Sequence, residues 1–291
     1  MFKKLLIAIV IIIFTAGVFS AVTFRRGYLQ PDINSHPQDD LAYAATRNAD
    51  LRKTLKWTFG SKPQLGWHLY SLLLQKTLKT DADTDTQAFA QKVSEWQTKN
   101  RLSSTGIIDR DTLFSFIKFW QSRRVRPIVV AADNKLLSAP ISDFYDPTRN
   151  RDLLKVEKKT YAAYKEMIAA AANDKSLNLQ VDSDGNLRNE EKFLKIISSF
   201  RSPEYQASLR KKEPGASRAQ IAINSPHFTG RALDIYVGGD PVTSKDFNRR
   251  IQVDTKVYKW LVKNAGKFGF VPYFFEPWHW EYAPEFTNSD N

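Results

Sequence analysis

The chain has 291 residues, 42% of them hydrophobic, which is enough to bury one large core or two smaller ones and excludes a disordered chain. With 43 Lys plus Arg against 31 Asp plus Glu the formal charge is +12, suited to anionic surroundings such as nucleic acid, anionic lipid or an acidic polymer. Cysteine is absent, and that excludes thiol catalysis, thiolate metal sites and disulfides together.

Lys3 and Lys4 precede a stretch without charges from Leu5 to Phe24, and Arg25 and Arg26 follow it. The stretch suits a span of about 20 residues better than the apolar run of about 7 to 15 in a cleaved signal. No clean Ala-x-Ala cleavage pattern follows it. Residues 1–26 therefore read as an uncleaved anchor, with a signal peptide as the alternative. Export would remove nucleic acid as a partner and place the chain in the cell envelope, in the inner membrane and facing the periplasm or wall. Residues 27–50, polar and carrying Pro31, Pro37 and Asp39-Asp40, read as a tether.

Residues 51–126 read as a first folded region. Trp67, Leu69, Tyr70, Leu72, Leu73 and Leu74 give a broad apolar surface to a helix over 65–75. An acidic turn, Thr80 to Thr86, leads to a second helix with Phe89, Val93 and Trp96 on one face. Gly106 breaks the pattern, and Asp109 reads as the N-cap of a third helix carrying Leu113, Phe116 and Ile117. Trp96, Gln97, Leu102, Thr105, Gly106, Asp109 and Thr112 resemble the repeat of the three-helix peptidoglycan-binding domain, over residues 84–123. The resemblance implies that this region holds a cell-wall polymer. A generic helical hairpin is the alternative.

From Arg123 a basic run opens a proline-containing linker, residues 127–154, with one short strand; the run itself reads as solvated charge. A helix follows, with Tyr161, Tyr164, Met167 and Ile168 on one side. Phe193 to Ile197 read as a strand that delivers Arg201 and turns at Pro203 into another helix. An arginine there can hold a carboxylate through two parallel hydrogen bonds, or it can be an ordinary surface ion-pair partner.

Ser225 to Gly230 form a loop in which Pro226 restrains the chain before His227 and Gly230 permits a bend. In the following strand Ala232, Asp234 and Tyr236 face one way, and Leu233, Ile235 and Val237 the other. A carboxylate in so apolar a strand needs a partner, either a metal or a buried arginine. Asp254 reads as the N-cap of a helix that carries Val257, Trp260, Leu261 and Phe268 to Gly269. The aromatic run from Phe270 reads as a strand in which Trp278, Trp280 and Tyr282 oppose His279 and Glu281. Pro277 restrains Glu276 at a bend. Glu281 reads as either solvent-facing or a support to the site.

Only four histidines occur, and His227 and His279 fall in these two segments, whereas His36 and His68 read as structural. His227, Asp234 and His279 are three nitrogen and oxygen donors, the number that leaves a catalytic zinc one open position, and Glu276 is a carboxylate free to act as base.

Three motifs in order, SFRSPEYQ (199–206), Ser-x-His-x-x-Gly-x-Ala-x-Asp (225–234) and Glu-Pro-Trp-His-Trp (276–280), resemble the VanY-like zinc D-alanyl-D-alanine carboxypeptidases over residues 155–285. The resemblance implies Zn2+ bound by His227, Asp234 and His279, Glu276 as catalytic base, and Arg201 orienting the substrate's carboxylate or carbonyl. Ser225 would support the site by a hydrogen bond. The substrate implied is a peptidoglycan stem peptide losing its terminal D-alanine. An L,D-carboxypeptidase or an endopeptidase would use the same residues, and a noncatalytic wall-binding protein is the rival from another class. The expected fold is α+β: a zinc peptidase domain (155–291) with a small antiparallel sheet and flanking helices, preceded by a small all-α three-helix domain and the N-terminal hydrophobic segment.

Overall fold

A computed structural model describes residues 37–212 and 223–287, and the expected anchor and the first part of the tether lie outside these. Among the described residues no helix is long and apolar enough to cross a membrane. Residues 37–50, read above as tether, instead belong to helix α1 (Pro37–Thr54). A narrow inner face explains why so polar a segment folds. Ala44 and Ala45 are buried, and the buried Asn48 side chain donates to the Gly106 carbonyl (2.9 Å) and accepts from the Ile108 amide (2.8 Å).

The region 51–126 is not all-helical. Strands β1 (Lys56–Phe59) and β2 (Lys62–Leu65) form an antiparallel hairpin whose turn residues, Gly60 and Ser61, both have positive φ. The helix expected over 65–75 accordingly starts late, as α2 (Ser71–Leu78). A 3-10 turn (His68–Tyr70) leads into it, and Gly66 excludes a start before that turn. Gly66 lies at φ +68°, and a Cβ there would come within 2.3 Å of the Arg52 carbonyl oxygen. Helices α3 (Gln87–Lys99) and α4 (Arg110–Ser122) follow, the second with Asp109 accepting from the Thr112 amide as its N-cap. Trp96 stacks on Phe116 at 4.3 Å, and the buried Gln97 pins the turn between the helices by accepting from the Gly106 amide and donating to the Ile107 carbonyl and Thr112.

Within 127–154, β3 (Leu136–Ser138) pairs antiparallel with β4 (Lys155–Glu157), which leads into α5 (Lys158–Ala172). Beyond α5 come β5 (Ile196–Ser198), α6 (Pro203–Lys212), β6 (Ala232–Ile235), α7 (Asp246–Asp254) and α8 (Lys256–Asn264). Thr255, not Asp254, caps α8 by accepting from the Tyr258 amide, because Asp254 is taken up as the last residue of α7. The aromatic run is likewise two strands rather than one, β7 (Phe270–Pro272) and β8 (His279–Tyr282), joined by a turn over 273–278 that holds Pro277.

The four strands form an antiparallel sheet in the order β5-β6-β8-β7. One hydrophobic core joins this sheet to the helices before it, with Tyr70 and Trp120 in ring contact with Phe274 at 5.5 and 5.9 Å. Replacing Asn48 by Ala would strip two buried backbone groups of their partners. The expected loss is about 2–4 kcal/mol of stability, read as a lowered midpoint of urea unfolding.

Candidate metal and catalytic site

Strand register builds the site. Ser198 of β5, Asp234 of β6 and His279 of β8 are paired across the sheet and lie side by side in one row. Asp234 and His279 thereby share a face, as the alternation along each strand requires. His227 reaches them from outside the sheet, on a 3-10 turn (Pro226–Thr229) in which its own amide donates to the Ser225 hydroxyl. The turn ends at Gly230 (φ +67°), where a Cβ would meet Leu136 and the Glu157 amide at about 3 Å, so β3 and β4 press directly against it.

The side chains converge tightly. One ligand atom from each of His227, Asp234 and His279 lies within 4.8 Å of the others, and all three residues are buried. His227 Nδ1–H donates to the Ser199 carbonyl at 2.7 Å, which aims Nε2 at Asp234 Oδ1, 3.3 Å away. His279 Nδ1 lies 2.9 Å from that same oxygen. Burial and the Arg201 charge push His227 down to about 4, so at neutral pH its bare Nε2 lone pair faces a carboxylate. Two acceptors turned toward each other in a dry site fit a shared cation, and two imidazoles with one carboxylate are a donor set that zinc takes.

Asp234 pairs with an arginine and still turns its other oxygen to the two histidines. Its Oδ2 accepts from Arg201 Nη2 at 2.5 Å, while Oδ1 faces the histidines. Burial opposes its ionisation, but its interactions with His227, Arg201 and His279 hold the carboxyl well below the usual range. Arg201 is further fixed by donating from Nε to Ser198 Oγ at 2.9 Å.

Glu276 lies in the turn between β7 and β8, its amide donating to the Tyr273 carbonyl and its carbonyl accepting from the His279 amide. Buried to 7% exposure, its carboxyl is pushed up to about 8 by desolvation, reinforced by Asp234 against the opposing charges of His279, Arg124 and Arg201.

The sequence left Glu281 open, and the structure buries it. Its Oε1 accepts from His279 Nε2 at 3.1 Å and from Arg124 Nε at 2.7 Å, and its Oε2 from the Val125 amide at 2.8 Å. Burial would raise its carboxyl, yet these bonds hold it at about 2. Burial alone would lower His279, and its bonds to Asp234 and Glu281 lift it to about 9. Arg124, read above within a solvated basic run, is therefore an ion-pair partner, because Glu281 waits beneath it across the fold. Only the alternation that places Glu281 on the face of His279 hinted at this, and nothing near Arg124 did. His68 is half-buried and takes no part in the site, and His36 lies outside the described residues.

A family model described as VanY: D-alanyl-D-alanine carboxypeptidase matches residues 153–285. Among solved structures, an LdcB LD-carboxypeptidase described with regard to peptidoglycan recognition is 21% identical, over 56% of this chain and 77% of its own, at a TM-score of 0.39. VanYB in complex with D-alanine-D-alanine is 21% identical over 46% of this chain and 76% of its own, at a TM-score of 0.30. A vancomycin resistance D,D-pentapeptidase VanY variant in complex with Zn(II) is 20% identical over 46% and 79%, at a TM-score of 0.28. A search of curated proteins finds no match.

The charged cluster sets how metal-free protein responds to pH. His227 at about 4 and Glu281 at about 2 lie below their ordinary values of 6.5 and 4.5, so their contribution is complete above those values and is lost as pH falls through the folded ones. Glu276 at about 8 and His279 at about 9 lie above 4.5 and 6.5, so theirs is complete below those values and is lost as pH rises. Between 4.5 and 6.5 the gain from His227 offsets the loss from Glu276. Thermal unfolding of metal-stripped protein should therefore show a stability plateau over that interval, falling on both sides.

Proposed function

We propose, from the premise that residues 153–285 belong to the VanY D-alanyl-D-alanine carboxypeptidase family, that the protein is a zinc-dependent carboxypeptidase that hydrolyses the terminal D-Ala-D-Ala bond of peptidoglycan stem peptides. The convergence of His227, Asp234 and His279 beside a buried Glu276, inside the matched segment, is the observation that carries this reading. His227 Nε2, an Asp234 oxygen and His279 Nδ1 would hold the metal. Zinc, when bound, polarises the scissile carbonyl and makes water acidic enough to lose a proton near neutral pH.

Glu276 accepts the proton of the attacking water and returns it to the leaving amine. A carboxylate whose affinity for protons is raised by burial suits both halves of that task. Arg201, held beside Asp234 and Ser198, orients the substrate's carboxylate or carbonyl. Ser225 keeps the turn that presents His227. The buried walls around these groups limit water and strengthen each charge interaction within.

The reading places the enzyme in the cell envelope, with the helical region resting on wall polymer and residues 1–26 in the membrane. Such tethering raises the local concentration of substrate without new contacts at the active site.

Zinc-loaded protein should release D-alanine from a pentapeptide stem and leave a tetrapeptide and cross-linked fragments intact. Cleavage of the tetrapeptide would instead make it an L,D-carboxypeptidase, and cleavage of cross-links an endopeptidase. Glu276→Gln is expected to lower kcat by about 10²–10⁴-fold, and removing zinc with a chelator should abolish turnover until zinc is restored. A Glu276→Gln enzyme as active as the parent would overturn the base assignment.

A further inference from the structure

A buried polar connection runs from the helical region to the site. Where the chain leaves α4, Arg124 and Val125 together surround the Glu281 carboxylate. Arg124 donates to Oε1 from Nε at 2.7 Å and again from Nη2, and the Val125 amide donates to Oε2 at 2.8 Å. Glu281 is 1% exposed, and its remaining bond is to His279 Nε2. The Arg124 guanidinium also lies 4.0 Å over the ring of Tyr273, which packs edge-on against the His279 ring at 5.7 Å.

We propose that Arg124 positions the metal ligand His279 by way of Glu281, so that the helical region completes the active site as well as tethering it. The physical reason lies in the two nitrogens of the imidazole. A carboxylate that accepts from Nε2–H keeps the proton on that atom, leaves Nδ1 as the nitrogen turned toward Asp234, and fixes the plane of the ring. Glu281 can do this only while ionised and immobile. Arg124, with its planar fork on one oxygen and the neighbouring backbone amide on the other, secures both conditions.

This inference rests on the zinc carboxypeptidase reading only for its effect on turnover, since metal affinity tests it separately. Zinc dissociation constants, from competition with a chromophoric chelator, are compared in full-length wild type, Arg124→Gln, Arg124→Lys, Glu281→Gln and the Arg124→Gln/Glu281→Gln double variant. Arg124→Gln and Glu281→Gln are expected to weaken zinc binding by about 10–100-fold. In the double variant the losses should not multiply, because both act along one path. Arg124→Lys, which keeps the charge without the fork, should recover part of the loss. On the pentapeptide, kcat should fall in step while KM stays near the wild-type value.

A purely structural ion pair would lower the unfolding midpoint of metal-free protein and leave the zinc constant of the folded fraction unchanged. An Arg124→Gln protein that binds zinc within about 2-fold of wild type, or a double variant whose losses multiply, overturns the proposal. The Arg124 variants decide it even where Glu281→Gln does not fold. Should wild type cleave no stem peptide while the zinc constants follow the expected order, the positioning role stands and the hydrolase reading falls.

Discussion

A carboxylate buried to 2% exposure in the second strand of a four-stranded sheet is the constraint around which this protein is arranged. An unpartnered charge at that depth would cost several kcal/mol or would take up a proton. Asp234 does neither, because three cationic or cation-binding groups are brought to it from three parts of the chain. Arg201 comes off the end of β5, His279 from the neighbouring β8 and His227 from the loop before β6. A divalent ion shared by the carboxylate and both imidazoles would satisfy the acceptors that face one another there. The demand of one buried charge thus doubles as the geometry of a metal centre.

The same logic recurs one layer out. His279 hands a charge problem to Glu281, and Glu281 hands it on to Arg124 and the Val125 amide. Another arginine, the buried Arg249 of α7, reaches the Gln64 side chain of β2, the Tyr70 hydroxyl and the Phe275 carbonyl, and stacks on the Phe275 ring. Both arginines grip the segment 273–281, which carries Glu276 and His279. Polar bonds that must all be satisfied at once permit fewer arrangements than apolar packing alone, so they fix this turn more sharply than the aromatic rings around it could. The helices are therefore part of the framework that aims the site, whatever else they bind.

The residues that converge on Asp234 stood out in the sequence because their local signals are strong and short in range. Pro226 and Gly230 frame His227, alternation along 231–237 sets Asp234 against an apolar face, and Pro277 marks the bend at Glu276. The helices from Gln87 onward were legible for a similar reason, since Asp109 and the period of Phe89, Val93 and Trp96 act within one or two turns. Where reading failed, competition between neighbouring signals decided. Helix α1 looked like a tether because, among its described side chains, only Ala44, Ala45 and Asn48 are buried, and the 270–282 run looked like one strand because aromatic residues continue straight through its turn. Asp254 and Thr255 are both good caps, and only the end of α7 chose between them.

Residue chemistry and spacing thus determined by themselves that two histidines and an aspartate are a donor set that zinc takes, with a glutamate beside them, and three short motifs in order carry the resemblance to the family whose model matches residues 153–285. Only the tertiary structure decided which nitrogen of each imidazole faces Asp234, that Arg201 already holds that carboxylate, and that Glu281 is buried against Arg124, a neighbour 157 positions away. Local propensities act over a few residues and leave a signature along the chain. Compensation of a buried charge is settled by whichever group the fold brings within about 3 Å, and sequence separation carries no trace of that choice.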